Sequence, residues 1–399
     1  MVGTPLPICV ISAILAVSLT GATDVSTGIN NFAHKLYDAI SKKDDNLIFS
    51  PMSVHAALAF TYQGAAQDTA RSFQRSLGVP DASETAVGYK SIVSALNNAE
   101  NVKISMANKI YVKSGYKLKE NFRSVADDYF SADVEAIDFG QKQKTAANIN
   151  DWVKNKTNNR IQNLVKPGDF DDLTAAVLLN AIYFKGTWLK KFNAKHTHDD
   201  KFYTSETDTV DCKMMRQMGQ FQYGELSSLD SKVLRLKYTD DRFAMIIILP
   251  NSKTGIVDLE TKLSEKDINS FTTTNRPVSV TLPRFKLESN INLKEPLKQI
   301  GLGAIFLDGA DFSNMLDSQK PLKIDKVIQK AFVEVNEEGS EAAAATGVFM
   351  MFRTALRPVN PPASFRADHP FIFYITAKLG EPGSETDKIL FMGKMVSPK

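Results

Sequence analysis

The 399 residues contain only two cysteines, Cys9 and Cys212. Cys9 sits in a short apolar run at the N-terminus. With that run removed as a leader, Cys212 has no intrachain partner, and disulfides do not hold this fold. A lone thiol is then expected as a buried apolar filler rather than as a site of intermolecular pairing. Charge of one sign is also scarce: 48 Lys and Arg against 45 Asp and Glu leave a formal net charge of +3, spread along the chain, which provides no dedicated surface for nucleic acid. Beyond the N-terminus no apolar run is long enough to span a bilayer, so no membrane partner is expected. Catalytic spacings are missing too. There is no G-x-S-x-G, H-E-x-x-H or G-x-x-x-x-G-K, and "GLGAIF" at Gly301 lacks the third glycine of a dinucleotide loop. An enzyme is left unsupported, and no cofactor is implied. "HTHDD", His196 to Asp200, offers two imidazoles and two carboxylates to a metal, but between Lys195 and Lys201 it reads better as a solvated loop.

What is present is the composition of a folded protein: 43% apolar and 23% charged residues, with no internal repeat. "ICVISAILAVSL", Ile8 to Leu19, followed by small residues, reads as the core of a secretory leader cut after Thr20-x-Ala22. That leaves a leader over 1–22 and a single secreted, extracellular domain over 23–399. No Lys or Arg precedes the run, and a buried helix or membrane anchor is the alternative. The sequon Asn155-Lys156-Thr157 fits glycosylation of such a chain.

"NLIFSPMSVHAALAFTYQGA" predicts a strand end running into a helix, with Ser50 as N-cap, Pro51 in the first turn and Gly64 as the stop. Helices are also expected over 29–41, 69–77 and 145–156. "AAVLLNAIYF", 175–184, predicts a strand covered on both faces, in which Asn180 is a buried amide needing partners. "VLRLKY" and "FAMIIILP" form a hairpin around Asp240-Asp241, "VSVTLPRFKL" continues as one alternating strand, and "FIFYI" with "ILFMGKMV" makes a last hairpin. Helices lead and strands follow, without regular alternation, which predicts an α+β domain on large, mostly antiparallel sheets.

"EEGSEAAAATGVFMMFRTALRP", Glu337 to Pro358, has no settled preference: the alanines favour helix, while Gly339, Gly347 and the run from Val348 favour strand. As a strand it would place Ser340, Ala342, Ala344, Thr346, Val348, Met350 and Phe352 on one face, and Glu341, Ala343, Ala345, Gly347, Phe349, Met351 and Arg353 on the other. Taken alone, it reads as an exposed, mildly helical loop.

With its surroundings, this segment resembles the serpins. "NLIFSPMSVHAALA", "LLNAIYFKGTW", "AFVEVNEEGSEAAAATGV", "FRADHPFIFYI" and "ILFMGKMVSP" match family motifs in family order, from about residue 29 to the end. The hinge and C-terminal block are most similar to secreted arthropod serpins of the tick type. The resemblance implies a serpin fold: three β-sheets, about nine helices, a metastable five-stranded central sheet and an exposed reactive loop over about 337–360. It implies that a protease attacks the loop, and that the freed loop then inserts as a new central strand and drags the acylated protease to the opposite pole. By the family's spacing from Glu337, the attacked bond is Arg353-Thr354. Arg353 suits the acidic pocket of trypsin-like serine proteases, such as trypsin or kallikrein-, thrombin- or plasmin-like enzymes, with Phe352, Met351 and Met350 in the adjoining subsites. The hinge spans Glu337, Glu338, Gly339, Ser340, Glu341, Ala342, Ala343, Ala344, Ala345 and Thr346, small at its inward positions and free of proline. From Ser340 to Arg353 a strand would extend on the order of 45 Å. About a dozen new ladder bonds would stabilise the inserted state by roughly 6–18 kcal/mol. Two alternatives stand beside this one: a non-inhibitory serpin that carries a ligand or acts as a chaperone, against which the small hinge argues, and inhibition of chymotrypsin-like or cysteine proteases through Phe352 or Met351.

Further positions carry over from the resemblance. Ser50, Ser53 and Asn180 match the polar cluster beneath the central strands, Trp188 the aromatic at the sheet's top, and Arg284 the basic residue expected to pair with Glu337. Gln329 stands where many members have histidine, which puts any pH dependence tied to that histidine in doubt. "ETAVGYKSIVSALNN", matching the family's heparin-binding helix, carries only Lys90, so heparin activation through it is not expected. Lys185, Lys190, Lys191 and Lys195 read as a solvated face rather than a basic patch, and a monomer is expected.

Overall fold

The computed structural model describes residues 25–42, 44–317, 320–340, 361–380 and 383–398. The expected leader lies outside the described residues, as do hinge residues Glu341 to Thr346, subsite residues Met350, Met351 and Phe352, and the bond Arg353-Thr354.

Among the described residues there are eight α-helices: α1 (Thr27–Ile40), α2 (Pro51–Gln63), α3 (Gln67–Leu77), α4 (Ala82–Asn97), α5 (Glu120–Phe130), α6 (Lys142–Lys156), α7 (Ile256–Leu263) and α8 (Lys294–Leu297). The strands are β1 (Leu47–Phe49), β2 (Val102–Lys113), β3 (Asp133–Ile137), β4 (Ala176–Thr187), β5 (His198–Tyr203), β6 (Thr209–Leu226), β7 (Ser231–Lys237), β8 (Phe243–Pro250), β9 (Thr274–Pro283), β10 (Phe285–Asn292), β11 (Lys326–Val335), β12 (Gly339–Ser340), β13 (Ala363–Arg366), β14 (Phe371–Leu379) and β15 (Thr386–Met395). One sheet runs β10-β11-β12-β4-β2-β3. The other runs β1-β15-β14-β8-β7-β6-β9-β13, with β5 added on β6. The long β6 pairs with β5 and β9 over its earlier part and with β7 at its end, so it joins two of the three expected sheets into one ladder.

Local sequence accounts for the elements around the seam described below. Ser50 caps α2 by accepting the Ser53 N–H at 3.2 Å, Pro51 fits the first turn, and Gly64 follows the last residue. Residues 51–62 are all buried, as a helix apolar on every side must be, and α2 packs on β4 of one sheet and β15 of the other. The strand β4 is covered on both faces. Leu178, Ile182 and Phe184 join the main core with α2, while Val177, Leu179 and Tyr183 join a second core with Ile149 and Val153 of α6. That alternation turns Asn180 toward α2.

Two expectations are corrected. The stretch 278–287 is not one strand: β9 ends at Pro283 beside Met214, and β10 begins at Phe285 beside Val335 in the other sheet, with the Arg284 N–H donating to the Lys213 carbonyl at 2.8 Å. Alternation reports which residues share a face, and it continues unbroken when the chain passes from one sheet to another. "HTHDD" is likewise not all loop, because β5 begins at His198, its third residue, and pairs antiparallel with Thr209–Met214. Its charged side chains are those of an exposed edge strand.

Candidate functional site

The parallel strands β4 and β11 are hydrogen-bonded directly to each other from Lys326 beside Val177 to Phe332 beside Tyr183. Above that they part, and β12 occupies the gap antiparallel to both: Ser340 lies between Gly186 and Val335, and Gly339 beside Thr187. Gly339 has φ +152°, and a Cβ there would sit 1.9 Å from the Gly186 carbonyl oxygen, so only glycine fits this approach.

The top of this seam is held by Trp188 and its neighbours. The Trp188 indole N–H donates to the Asn336 carbonyl, and the backbone N–H groups of Trp188 and Phe192 donate to the carbonyls of Glu338 and Glu337, all at 2.9 Å. Tyr238 stacks on Trp188 with ring centres 4.6 Å apart, a contact worth ~0.5–1.5 kcal/mol beyond its burial. Its hydroxyl lies 2.7 Å from Ser340 Oγ, and both residues are fully buried. Burial keeps the Tyr238 phenol protonated, its pKa pushed far above the ordinary range. Glu337 accepts the Thr197 hydroxyl at 2.7 Å and stands 3.5 Å from Arg284 Nε, the expected pair. Since Arg284 is half exposed, the ion pair contributes at most ~1 kcal/mol. Of the four lysines, Lys191 pairs with Glu338 at 2.5 Å and Lys190 reaches the Gln220 carbonyl, while Lys185 is half-buried in β4 and Lys195 is exposed.

Midway along the seam lies a buried amide row. Asn108 of β2, Asn180 of β4 and Gln329 of β11 stand at one level, and all three side chains face α2. Gln329 donates to Asn180 Oδ1 at 2.6 Å and to the Ser50 carbonyl at 2.9 Å, and accepts the Ser50 N–H at 3.1 Å. Asn180 donates to Asn108 Oδ1 at 2.5 Å and to the Ser53 hydroxyl and carbonyl; the Ser50 hydroxyl donates to the Leu390 carbonyl at 2.5 Å. The structure thus brings Ser50, Ser53, Asn180 and Gln329 together and adds Asn108. The Gln329–Asn180 bond is the polar link directly across the β4–β11 seam in this cluster, and a strand entering there has to break it.

Outside the seam, Asn155 is exposed on the last turn of α6, and the Thr157 hydroxyl is buried, donating to the Val153 carbonyl at 2.8 Å. Cys212 is half-buried against the core, its thiol pushed up to about 11, chiefly by burial and then by Asp200 and Asp211.

A family model described as Serpin (serine protease inhibitor) matches residues 27–398. The chain is 37% identical to antichymotrypsin-2 of Bombyx mori, over 88% of this chain and 94% of that protein. It is 36% identical to antitrypsin of the same organism, over 92% and 95%. The crystal structure of Serpin48, a highly specific serpin of the insect Tenebrio molitor, superposes with a TM-score of 0.86 at 33% identity, covering 95% of this chain and all of that one.

Proposed function

The chain belongs to the serpin family, and from that premise we propose that it is a secreted suicide inhibitor of trypsin-like serine proteases, cleaved at Arg353-Thr354. The family is one of protease inhibitors rather than of enzymes. The observation that carries the mechanism is β12, a two-residue strand seated in the top of an otherwise closed seam. Continuing its antiparallel register down β4 and β11 sets Thr346 between Asn180 and Gln329, and brings Met350 level with Ala176, the first residue of β4. Arg353 would then lie past the far end of the sheet. Ser340, Ala342, Ala344, Thr346 and Val348 would face the α2 core, and Ala343, Ala345 and Gly347 would pass beneath α6.

In this mechanism the protease serine attacks the Arg353 carbonyl, the Thr354 amine departs with a proton, and an ester joins Arg353 to the protease. Freed at Arg353, the loop replaces the direct β4–β11 bonds with two new ladders and carries the ester-linked protease with it. Deformation of the protease active site leaves the ester unhydrolysed. The leader Ile8 to Leu19 supports secretion, and the exposed Asn155 is available for glycosylation.

Incubation with trypsin followed by a denaturing gel tests this. A stable complex of the two chains is expected, together with release of the 46-residue fragment from Thr354 to Lys399. Arg353→Ala is expected to abolish the trypsin complex. Cleavage without any complex would instead favour a non-inhibitory serpin, and a fragment starting at Arg353 or Phe352 would move the attacked bond to Phe352 or Met351.

A further inference from the structure

Beside the top of the seam lies a cavity of about 320 Å³, one wall of which is Trp188. Phe192 and Phe221, both buried like Trp188, supply further aromatic walls, and Lys190, Arg235 and Lys237 also line it. No Asp or Glu does. Arg235 is already paired, bidentate to Asp387 at 2.5 and 2.7 Å. Lys190 Nζ lies 5.2 Å from the centre of the Phe221 ring and donates to the Gln220 carbonyl at 2.7 Å. Neither Lys190 nor Lys237 forms an ion pair among the described residues. The complement of aromatic walls with two uncompensated ammonium groups is a flat apolar body bearing one anionic group.

We infer that this cavity binds a compact aromatic carboxylate or sulfonate, and that the bound ligand braces the hinge. The coupling is short. Trp188 and Phe192, which line the cavity, also give the backbone N–H groups that hold the Glu338 and Glu337 carbonyls, and the Trp188 indole holds Asn336. The Leu189 N–H donates to the Lys237 carbonyl at 2.9 Å, tying the lysine's strand to the same segment. A ligand that immobilises these rings immobilises the donors that fix residues 336–338, directly before Ser340.

The test uses the full chain, biphenyl-4-carboxylate as the probe and isothermal titration calorimetry as the readout, with neutral biphenyl-4-methanol as the charge control. Saturable one-to-one binding is expected. Loss of the carboxylate, the double change Lys190→Gln and Lys237→Gln, and Phe221→Ala should each weaken it by about tenfold or more. Thermal melts check that the variants remain folded. Absence of saturable binding, or affinity within about twofold for the alcohol and for the double lysine variant, overturns the site. Deuterium exchange of residues 336–340 is expected to slow when the probe binds; unchanged exchange there in the saturated protein overturns the bracing. Neither readout involves a protease, so failure here is distinct from failure of the inhibitory reading.

Discussion

In the proposed mechanism Ser340 is the residue at which entry into the sheet begins. It is completely buried between Gly186 and Val335, and among the described residues the Tyr238 hydroxyl is its one side-chain hydrogen-bond partner. Among the described residues no carboxylate bonds to Ser340, so a guanidinium there would be buried without a partner from them, and burying an unpaired charge costs several kcal/mol. Ser340→Arg is therefore expected to leave Arg353 cleavable while slowing insertion. Because each 1.4 kcal/mol shifts the partition between trapping and hydrolysis tenfold, the moles of inhibitor consumed per mole of trypsin should rise by about tenfold or more. Titration of residual trypsin activity measures this, and an unchanged stoichiometry contradicts the role given to Ser340. The sequence showed part of this environment. Asn180 stood out as a lone amide in an apolar run and demanded partners. Asn108, its neighbour across the sheet, did not, because the adjacent Lys109 is also buried, paired with Glu135, and β2 shows no clean alternation to set Asn108 apart.

At the scale of elements, the β4–β11 seam is closed by a backbone ladder, by the Gln329–Asn180 bond, and by the second core, where Ile149 and Val153 of α6 pack with Val177 of β4 and Phe332 of β11. In the proposed mechanism an incoming strand would replace the ladder, pass beneath α6, and bring the Thr346 hydroxyl into the amide row. Thr346→Val keeps the shape and removes that hydroxyl. It is expected to destabilise the loop-cleaved form by roughly 1–3 kcal/mol while leaving the uncleaved form unchanged. Guanidinium unfolding of both forms measures this, and equal effects on the two contradict the register. The hairpins β7–β8 and β14–β15, the capped start of α2 and the doubly covered β4 were legible, because turn residues, caps and apolar runs are local signals. The passage from β9 to β10 was not, since nothing local at Pro283-Arg284 says that the next strand belongs to a different sheet.

For the molecule as a whole, two buried histidines set an acid limit. His55 is fully buried, its Nε2–H donating to the Leu77 carbonyl at 2.9 Å and its Nδ1 accepting the Tyr89 hydroxyl, and burial lowers its pKa to about 4. Burial lowers His34 to about 4 as well, against the opposing pull of Asp267. Both folded values lie below the unfolded value near 6.5, so the native state binds fewer protons. Their contribution is complete above about pH 6.5 and is lost as pH falls toward 4, on the order of 2–3 kcal/mol for each. The urea midpoint should fall across that window and fall less in His34→Gln; parallel pH profiles would contradict the assignment. The order of elements made the α+β class legible, and the motifs made the family legible, whereas the wedge of β12 in the seam needed three dimensions. The most direct test of the central claim, that the loop enters this seam once cut, is the melting temperature before and after a metalloprotease, which forms no acyl-enzyme, cleaves within 341–358. Insertion predicts a rise on the order of 10 °C or more. An unchanged or lower melting temperature would contradict it.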